Sequence, residues 1–217
     1  MMNYYIVGGG DFDRDRFNPD PKDCVLAADA GFAVLEELHI TADAVVGDFD
    51  SLGSIPDHNN ILRFPKEKDE TDMALCARIA EERGADCIHL FGGTGGRMDH
   101  TMANLVLIAD LSRRGIDAYL YGLDFTATAV TNGSLCFPQG YQGTVSVFCH
   151  GNTARGVSIR GLYYEVEDGT LNPFVALGVS NEFTDAPAEI SVEAGTLLVV
   201  WEDRNNPLPI FGQTKSE

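Results

Sequence analysis

The N-terminal half of the chain alternates between two hydrophobic patterns. Short, mostly apolar runs are typical of buried strands, whereas apolar residues three or four positions apart are typical of helices that bury one face. The predicted strands cover residues 3–7, 24–28, 44–46, 61–64, 86–90 and 118–123. Helical spacing is seen in Phe32, Leu35 and Leu38, in Met73, Cys76, Ala77 and Ala80, and in Met102, Leu105, Val106 and Ala109. Strands that alternate with helices predict a parallel sheet with helices on both faces, because the crossovers are right-handed.

The pattern changes after Asp124. Stretches such as FTATAVT (125–131) and TVSVFCH (144–150) alternate polar and apolar residues and are separated by Gly, Asn and Pro. Such stretches are typical of antiparallel strands, and we expect them to form a small β-sandwich. The predicted fold class is therefore α/β plus all-β, with a Rossmann-like α/β domain over residues 1–130 and a sandwich domain over residues 131–217.

Composition and charge limit the possible classes of protein. With 44% hydrophobic and 22% charged residues the chain has the composition of an ordinary globular protein. It has neither a bilayer-spanning apolar run nor a signal peptide, and we expect a cytoplasmic location. The formal charge of -18 argues against nucleic acid or a membrane as the main partner. Five cysteines without a CxxC pair indicate reduced thiols rather than disulfides or zinc.

The most informative stretch is FGGTGGRMDHTMAN, residues 91–104, between a predicted strand and a predicted helix. Four glycines within positions 92–96 let a polyphosphate approach the backbone and the first amides of the helix. Arg97 adds a guanidinium group whose geometry suits phosphate oxygens. Asp99 either caps the helix or binds a metal ion or a sugar hydroxyl.

A second motif, GDFDS, occupies residues 47–51 directly after a predicted strand. Asp48 and Asp50 are two positions apart, so in an extended chain their side chains project to the same face and can share one hard cation. An acidic turn is the alternative, because Asp, Gly and Ser are all turn residues. We favour the metal site, and we interpret Phe49 as core.

A third motif, KEKDETD at residues 66–72, precedes the second predicted helix. Asp69, Thr71 and Asp72 fall in its opening turn, where they either cap the helix or offer oxygen ligands while Lys66 or Lys68 meets phosphate. Taken alone, the motif favours capping.

These charged residues share one predicted location. They fall where strands end or where the next helix begins, which is the edge at which parallel α/β sheets bind ligands. The set comprises Asp29, Asp48, Asp50, Asp72, Arg97 and Asp99. Their agreement predicts a metal-dependent enzyme that acts on nucleotide phosphates.

The combination of motifs resembles the bacterial thiamine pyrophosphokinases. The shared motifs are ADAG (28–31), GDFDS (47–51), KEKDETD (66–72), GGTGGRMDH (92–100) with Asn104, and GVSNEF (178–183), in the order found in that family. One departure is Ala30, where relatives often have a second glycine. The resemblance implies transfer of a pyrophosphoryl group from ATP to the hydroxyl of thiamine with Mg²⁺, giving thiamine diphosphate and AMP, in a homodimer.

The resemblance also implies roles for individual residues. Asp48, Asp50 and Asp72 are expected to hold Mg²⁺, and Asp29, Asp48, Asp50, Asp72 and Arg97 to form the catalytic set. Nucleotide and phosphate contacts are expected from Lys66, Lys68, Asp69, Thr71, Gly93, Thr94, Gly95, Gly96, Arg97, Asp99 and His100. Ser180 and Asn181 are expected beside thiamine.

Two other functions fit the same residues. One is a kinase or hydrolase that acts on a different alcohol or nucleotide, and the other is a nucleotide-sensing module without turnover. Trp201 either stacks on the cationic thiazolium or belongs to the core, and its apolar strand favours the core.

Overall fold

The computed structural model describes residues 2–49, 57–65, 67, 69–202 and 206–213. Asp50, Lys66 and Lys68, which the sequence predicts to belong to the site, lie outside the described residues. The chain divides into two compact units, unit 1 with residues 1–107 and 118–123, and unit 2 with residues 108–117 and 124–217.

Unit 1 is built on a sheet whose strands lie in the order β4-β3-β2-β1-β5-β6. The strands are β1 (Asn3–Val7), β2 (Cys24–Ala28), β3 (Ala44–Gly47), β4 (Ile61–Arg63), β5 (Cys87–Phe91) and β6 (Asp117–Tyr121). The pairs β1–β2, β1–β5, β2–β3 and β3–β4 are all parallel, as the alternating pattern predicts. Their carboxyl ends therefore lie along one edge.

Three helices follow strands of this sheet, namely α1 (Gly31–Glu37), α2 (Asp72–Glu82) and α3 (Met98–Arg113). Helix α2 begins at Asp72 because Thr71 caps it, with its Oγ1 accepting a hydrogen bond from the Ala74 N–H at 3.2 Å. Its apolar face buries Met73, Cys76, Ala77 and Ala80, the residues that predicted the helix.

Unit 2 consists mainly of antiparallel strands, which confirms the strand prediction for this part of the chain. They are β7 (Phe125–Thr131), β8 (Gly133–Phe137), β9 (Thr144–Arg160), β10 (Val166–Leu171), β11 (Gly178–Glu182), β12 (Ala188–Ser191), β13 (Ala194–Glu202) and β14 (Ile210–Gln213). The long strand β9 pairs antiparallel with β10, β11, β12 and β13.

The core of unit 2 contains Trp201, which is 2% exposed and meets the Phe137 ring edge-on at 5.4 Å. This confirms the interpretation of Trp201 as a core residue. Among the helices that the structure describes, none combines the length and the apolar character required to cross a bilayer.

Candidate active site

A cavity of about 810 Å³ opens in unit 1 beyond the carboxyl ends of β1, β2, β3 and β5. It is lined by Gly8, Gly9, Gly10, Asp11, Ala28, Asp29, Ala30, Asp48, Glu70, Thr71, Asp72, Met73, Gly92, Gly93, Thr94, Gly95, Gly96, Arg97, His100 and Asn104. The cavity thus brings together residues from the four motifs that the sequence predicts to meet at this edge.

Not every predicted residue lies on this wall. Asp69 and Asp99 are described, but they are not among the residues that line the cavity. Ser180 and Asn181 belong to unit 2. Roles for these residues remain predictions.

Asp29 and Asp48 are brought together by the adjacent ends of β2 and β3. The Asp29 N–H donates a hydrogen bond to the Val46 carbonyl at 2.8 Å, and Asp29 adopts a left-handed φ of 46°. A side chain at Gly47 would come within 3.1 Å of the Asp29 Cβ, so glycine there allows the close approach. Phe49, which follows Asp48, is 3% exposed and packs in the core as expected.

The opening turn of α2 supplies Thr71 and Asp72. The hydroxyl of Thr71 serves as the N-cap, as the sequence favours for this segment, and both residues also line the cavity. Asp72 is the first helical residue, a position where the positive end of the helix dipole stabilises a carboxylate.

The glycine turn between β5 and α3 is tightly built. Gly92, Gly95 and Gly96 have φ values of 62°, 80° and 60°, which other residues adopt at a cost. The side-chain amide of Asn104 donates to the Gly93 carbonyl at 2.7 Å and ties the turn to its own helix. Thr94 is 4% exposed, and its Oγ1 has no hydrogen-bond partner among the described residues.

Arg97 closes this turn and is held by a local contact. Its Nε donates to Asp99 Oδ1 at 3.1 Å, and its Nη2 donates to Asp99 Oδ2. This paired hydrogen bond raises the pKa of the exposed Arg97 guanidinium and lowers the pKa of the Asp99 carboxyl. Asp99 therefore orients Arg97, a role that the sequence analysis did not foresee.

The glycine run that follows β1, Gly8–Gly10, forms one wall of the cavity. The N–H groups of Gly8, Gly10 and Asp11 donate to the carbonyls of Phe91, Gly92 and Thr94, each at 2.8 Å. A Cβ at Gly10 would lie 2.2 Å from the Thr94 oxygen. Two glycine-rich segments can approach this closely only without side chains.

Glu70, Met73 and Asn104 also line the cavity and were absent from the predicted site. The sulfur of Met73 lies 3.2 Å from where a Gly8 Cβ would stand, and its methyl group lies 3.4 Å from the same position at Gly93. Met73 therefore fills the space between the two glycine segments. Asn104 belongs to the motif that carries the family resemblance, so the sequence could have identified it as a site residue.

The carboxylates of Asp29, Asp48 and Asp72 on the cavity wall suit a hard cation, because such cations prefer oxygen ligands. Within the described residues, no group of three or more His, Cys, Asp or Glu side chains is arranged to hold a metal ion. Mg²⁺ is commonly held by one or two carboxylates together with substrate phosphates. One or two of the three carboxylates of Asp29, Asp48 and Asp72 fit that mode of binding.

In unit 2, Ser180 and Asn181 differ in exposure. Ser180 is exposed and has a left-handed φ of 58°. Asn181 is 5% exposed, and its amide makes three hydrogen bonds: Oδ1 accepts from the N–H groups of Tyr164 and Glu182 at 2.9 Å, and Nδ2 donates to the Tyr164 carbonyl at 2.7 Å. Asn181 therefore fixes the turn that carries Tyr163 and Tyr164.

A parallel sheet with a glycine turn, an arginine and several carboxylates at one edge defines an α/β unit with a cleft at the edge where such sheets bind ligands. Residues 20–120 match the family model described as the thiamin pyrophosphokinase catalytic domain, and residues 135–197 match its vitamin B1 binding domain. The chain is 33% identical over 190 residues to thiamine pyrophosphokinase of Bacillus subtilis, a span that covers 81% of this chain and 85% of the relative. It belongs to the thiamine pyrophosphokinase family.

Solved structures of relatives have the same fold. Thiamine pyrophosphokinase from Bacillus subtilis superposes with a TM-score of 0.82 at 21% identity, covering 93% of this chain and 99% of that structure. Thiamin pyrophosphokinase from Geobacillus thermodenitrificans gives a TM-score of 0.80 at 25% identity, covering 94% and 99%.

Proposed function

We propose that the cavity of unit 1 is the site at which this thiamine diphosphokinase binds ATP and transfers its pyrophosphoryl group to the hydroxyl of thiamine. The observation that carries the proposal is the meeting of Asp29, Asp48, Asp72 and Arg97 with the glycine turn on one wall. The volume of about 810 Å³ lies within the range of roughly 300–1,000 Å³ that small-molecule sites have.

The glycine turn and Arg97 suit the phosphates of ATP. The turn that contains Gly92, Gly93, Gly95 and Gly96 leads into α3, and the first backbone amides of that helix suit phosphate oxygens. Asp99 holds the Arg97 guanidinium in one orientation, and a preorganised cation stabilises developing charge better than a mobile one.

The acidic side of the cavity suits Mg²⁺, with Asp48 and Asp72 as ligands together with Asp50, and with Asp29 beside them. When bound, Mg²⁺ neutralises negative charge on the phosphate oxygens. A cation is needed here, because the chain carries a formal charge of -18 and repels a free triphosphate.

In the reaction the thiamine hydroxyl oxygen forms a bond to the β-phosphorus of ATP. The bond between the β-phosphorus and the oxygen that bridges it to the α-phosphorus breaks, and AMP leaves with the electron pair. The hydroxyl proton passes to a carboxylate on the acidic side, and Arg97 orients the phosphates and offsets their charge. Transfers of this kind gain mainly from positioning and charge neutralisation.

We propose that residues 131–217 form a sandwich that binds thiamine and mediates dimerisation. Residues 1–130 are the proposed catalytic domain, with helices on both faces of the sheet. Exposed Ser180 is the candidate contact in unit 2, and Asn181 supports it. Tyr163, Tyr164, Phe174, Val175 and Leu177 are 67%, 64%, 92%, 53% and 69% exposed. Such an apolar surface supports burial against a second copy of the chain.

The proposal includes a cytoplasmic location. All five cysteines are free thiols, which is the usual state in a reducing compartment.

One incubation tests the function. The protein is mixed with thiamine, ATP and Mg²⁺, and the products are separated by chromatography. Thiamine diphosphate with an equal amount of AMP supports the proposal. ADP would identify ordinary phosphoryl transfer, and ATP binding without any product would identify a binding module.

A further inference from the structure

Asp11 stands on the wall of the cavity and lies outside the range matched to the catalytic family model, which begins at residue 20. Its backbone is fixed on two sides. The Asp11 N–H donates a hydrogen bond to the Thr94 carbonyl at 2.8 Å. The ring of the following residue, Phe12, packs against Phe91 and Phe17, with centroid distances of 5.6 Å and 5.2 Å. The carboxylate is therefore presented by an anchored segment.

The carboxylate of Asp11 lies directly on the glycine turn. A Cβ at Gly95 would stand 2.2 Å from its Cγ and 2.3 Å from each of its oxygens. Within the described part of the chain, this carboxylate accepts no hydrogen bond and forms no ion pair. It is an exposed acceptor on the wall of the cavity.

Thr94 supplies a second, independent indication of a ligand in the same cavity. Its hydroxyl is buried, lines the cavity and has no hydrogen-bond partner among the described residues. A buried hydroxyl without a partner is costly, and a bound ligand group would remove that cost.

The charge of Asp11 limits what it can meet. A carboxylate repels phosphate oxygens at short range, so it does not suit the triphosphate. It suits a neutral group that donates a hydrogen bond, and the nucleoside part of ATP offers the ribose hydroxyls and the adenine amine. We infer that Asp11 is a specificity-determining residue that accepts a hydrogen bond from the nucleoside part of the donor nucleotide, in the cavity that Thr94 also lines.

This inference rests on the proposed function, because it assigns the nucleotide to the same cavity. The test measures the Kd of the whole protein for ATP, 2′-deoxy-ATP, 3′-deoxy-ATP and inosine triphosphate with Mg²⁺ and without thiamine. Wild type, Asp11→Ala, Asp11→Asn and the control Asp15→Ala are compared. Asp15 is an exposed acid on the same segment and is not among the cavity-lining residues, so its variant matches the loss of charge.

For Asp11→Ala we expect the Kd for ATP to rise about tenfold, as for one hydrogen bond to a charged group in a solvated site. Asp11→Asn, which keeps an acceptor oxygen, should lose less, and Asp15→Ala should bind as wild type does. One of the three analogues should bind wild type about tenfold more weakly than ATP and should lose nothing more in Asp11→Ala, because both changes delete the same contact.

Several results would overturn the inference. The first is an equal Kd for ATP in Asp11→Ala and wild type. The second is an analogue whose loss of affinity simply adds to that of the variant. The third is recovery of ATP affinity in Asp11→Ala by excess Mg²⁺, which would mean that the carboxylate acts on the metal. Failure of the proposed function is distinct from these, since wild type would then bind no ATP or form no AMP.

Discussion

The side-chain amide of Asn104 donates a hydrogen bond to the Gly93 carbonyl at 2.7 Å, and this single contact fixes the glycine turn to the helix that follows it. Asn104 is 3% exposed, and a Cβ at Gly93 would lie 2.8 Å from its Nδ2. The pair thus requires glycine at one position and a short amide at the other. The turn keeps its shape because α3 holds it from behind.

Asn104→Asp should reduce both stability and turnover. The substitution replaces the donor with a carboxylate that faces a carbonyl oxygen, and a buried polar group left without its partner costs about 1–3 kcal/mol. Urea unfolding should show that loss of free energy, and steady-state kinetics should show a higher KM for ATP, because the turn no longer holds its shape.

The matched control for Asn104→Asp is Arg113→Gln in the same helix. The Arg113 side chain is 65% exposed, and within the described residues it forms an ion pair with Asp110 at 3.8 Å, so its loss should cost no more than about 1 kcal/mol. Equal stability of both variants would contradict the anchoring role of Asn104.

The pair Gly95 and Gly96 separates backbone strain from a specific contact. Both have positive φ, so alanine strains both by about 1–2 kcal/mol. Only at Gly95 would the new Cβ collide with Asp11, because nothing lies within 4 Å of the same position at Gly96. Gly95→Ala should therefore weaken ATP binding more than Gly96→Ala, as measured by titration calorimetry.

Combination with Asp11→Ala checks the origin of that difference. The effects of Gly95→Ala and Asp11→Ala on ATP binding should overlap, whereas those of Gly96→Ala and Asp11→Ala should add. Full additivity in both pairs would show that the Gly95 effect is strain alone.

Arg97→Lys should lower kcat/KM by about 10- to 100-fold, because an ammonium group cannot reproduce the planar, paired contact that Arg97 makes with Asp99. Asp99→Asn should have a smaller effect, since it loosens the guanidinium without removing it. Circular dichroism should be unchanged in both variants, as both side chains are exposed. Wild-type kinetics in Arg97→Lys would place Arg97 outside the reaction.

Asp48→Asn tests the metal site through the Mg²⁺ dependence of turnover. Loss of a ligand should raise the Mg²⁺ concentration needed for half-maximal activity by at least about tenfold. Loss of a residue that only hydrogen-bonds a metal ligand already lowers metal affinity by about that factor. Glu37→Gln removes the same charge from an exposed position on α1 and should leave the Mg²⁺ titration unchanged. Identical titrations of Asp48→Asn and wild type would remove Asp48 from the metal site.

The sequence predicted the parallel sheet and the convergence of its acidic residues for a simple physical reason. Buried strands such as Cys24–Ala28 and helical faces such as that of Met73 and Cys76 have strong periodicity, and parallel pairing then places Asp29, Asp48 and Asp72 at one edge. These positions follow from local pattern and topology alone.

Other parts of the site depend on tertiary contacts that no local pattern carries. Gly8–Gly10 resembles an ordinary turn until Phe91, Gly92 and Thr94 are seen to accept its hydrogen bonds. Similarly, the motif that contains Asn181 suggests a ligand contact, but its amide is used by the backbone of Tyr164 and Glu182. Only the fold reveals these partners.

His89 gives unit 1 a pH-dependent stability. It is 6% exposed, stacks on Tyr5 at 4.5 Å and lies 2.9 Å from the Tyr121 hydroxyl through Nδ1. Burial lowers the pKa of His89 to about 4, against a weaker opposing effect of Asp23. The imidazole is therefore neutral in the folded protein at a pH where the unfolded chain already binds a proton.

The ordinary pKa of histidine is 6.5, and that of folded His89 is about 4. Between these two pH values the unfolded chain therefore binds more protons than the folded protein. The contribution of neutral His89 to the free energy of unfolding is fully present above about pH 6.5. It is lost as the pH falls towards 4, by at most about 3 kcal/mol. His89→Gln keeps a polar side chain near Tyr121 without titrating, so its free energy of unfolding should fall less steeply than that of wild type from pH 6.5 to 4. Parallel curves for His89→Gln and wild type would show that His89 does not cause the pH dependence.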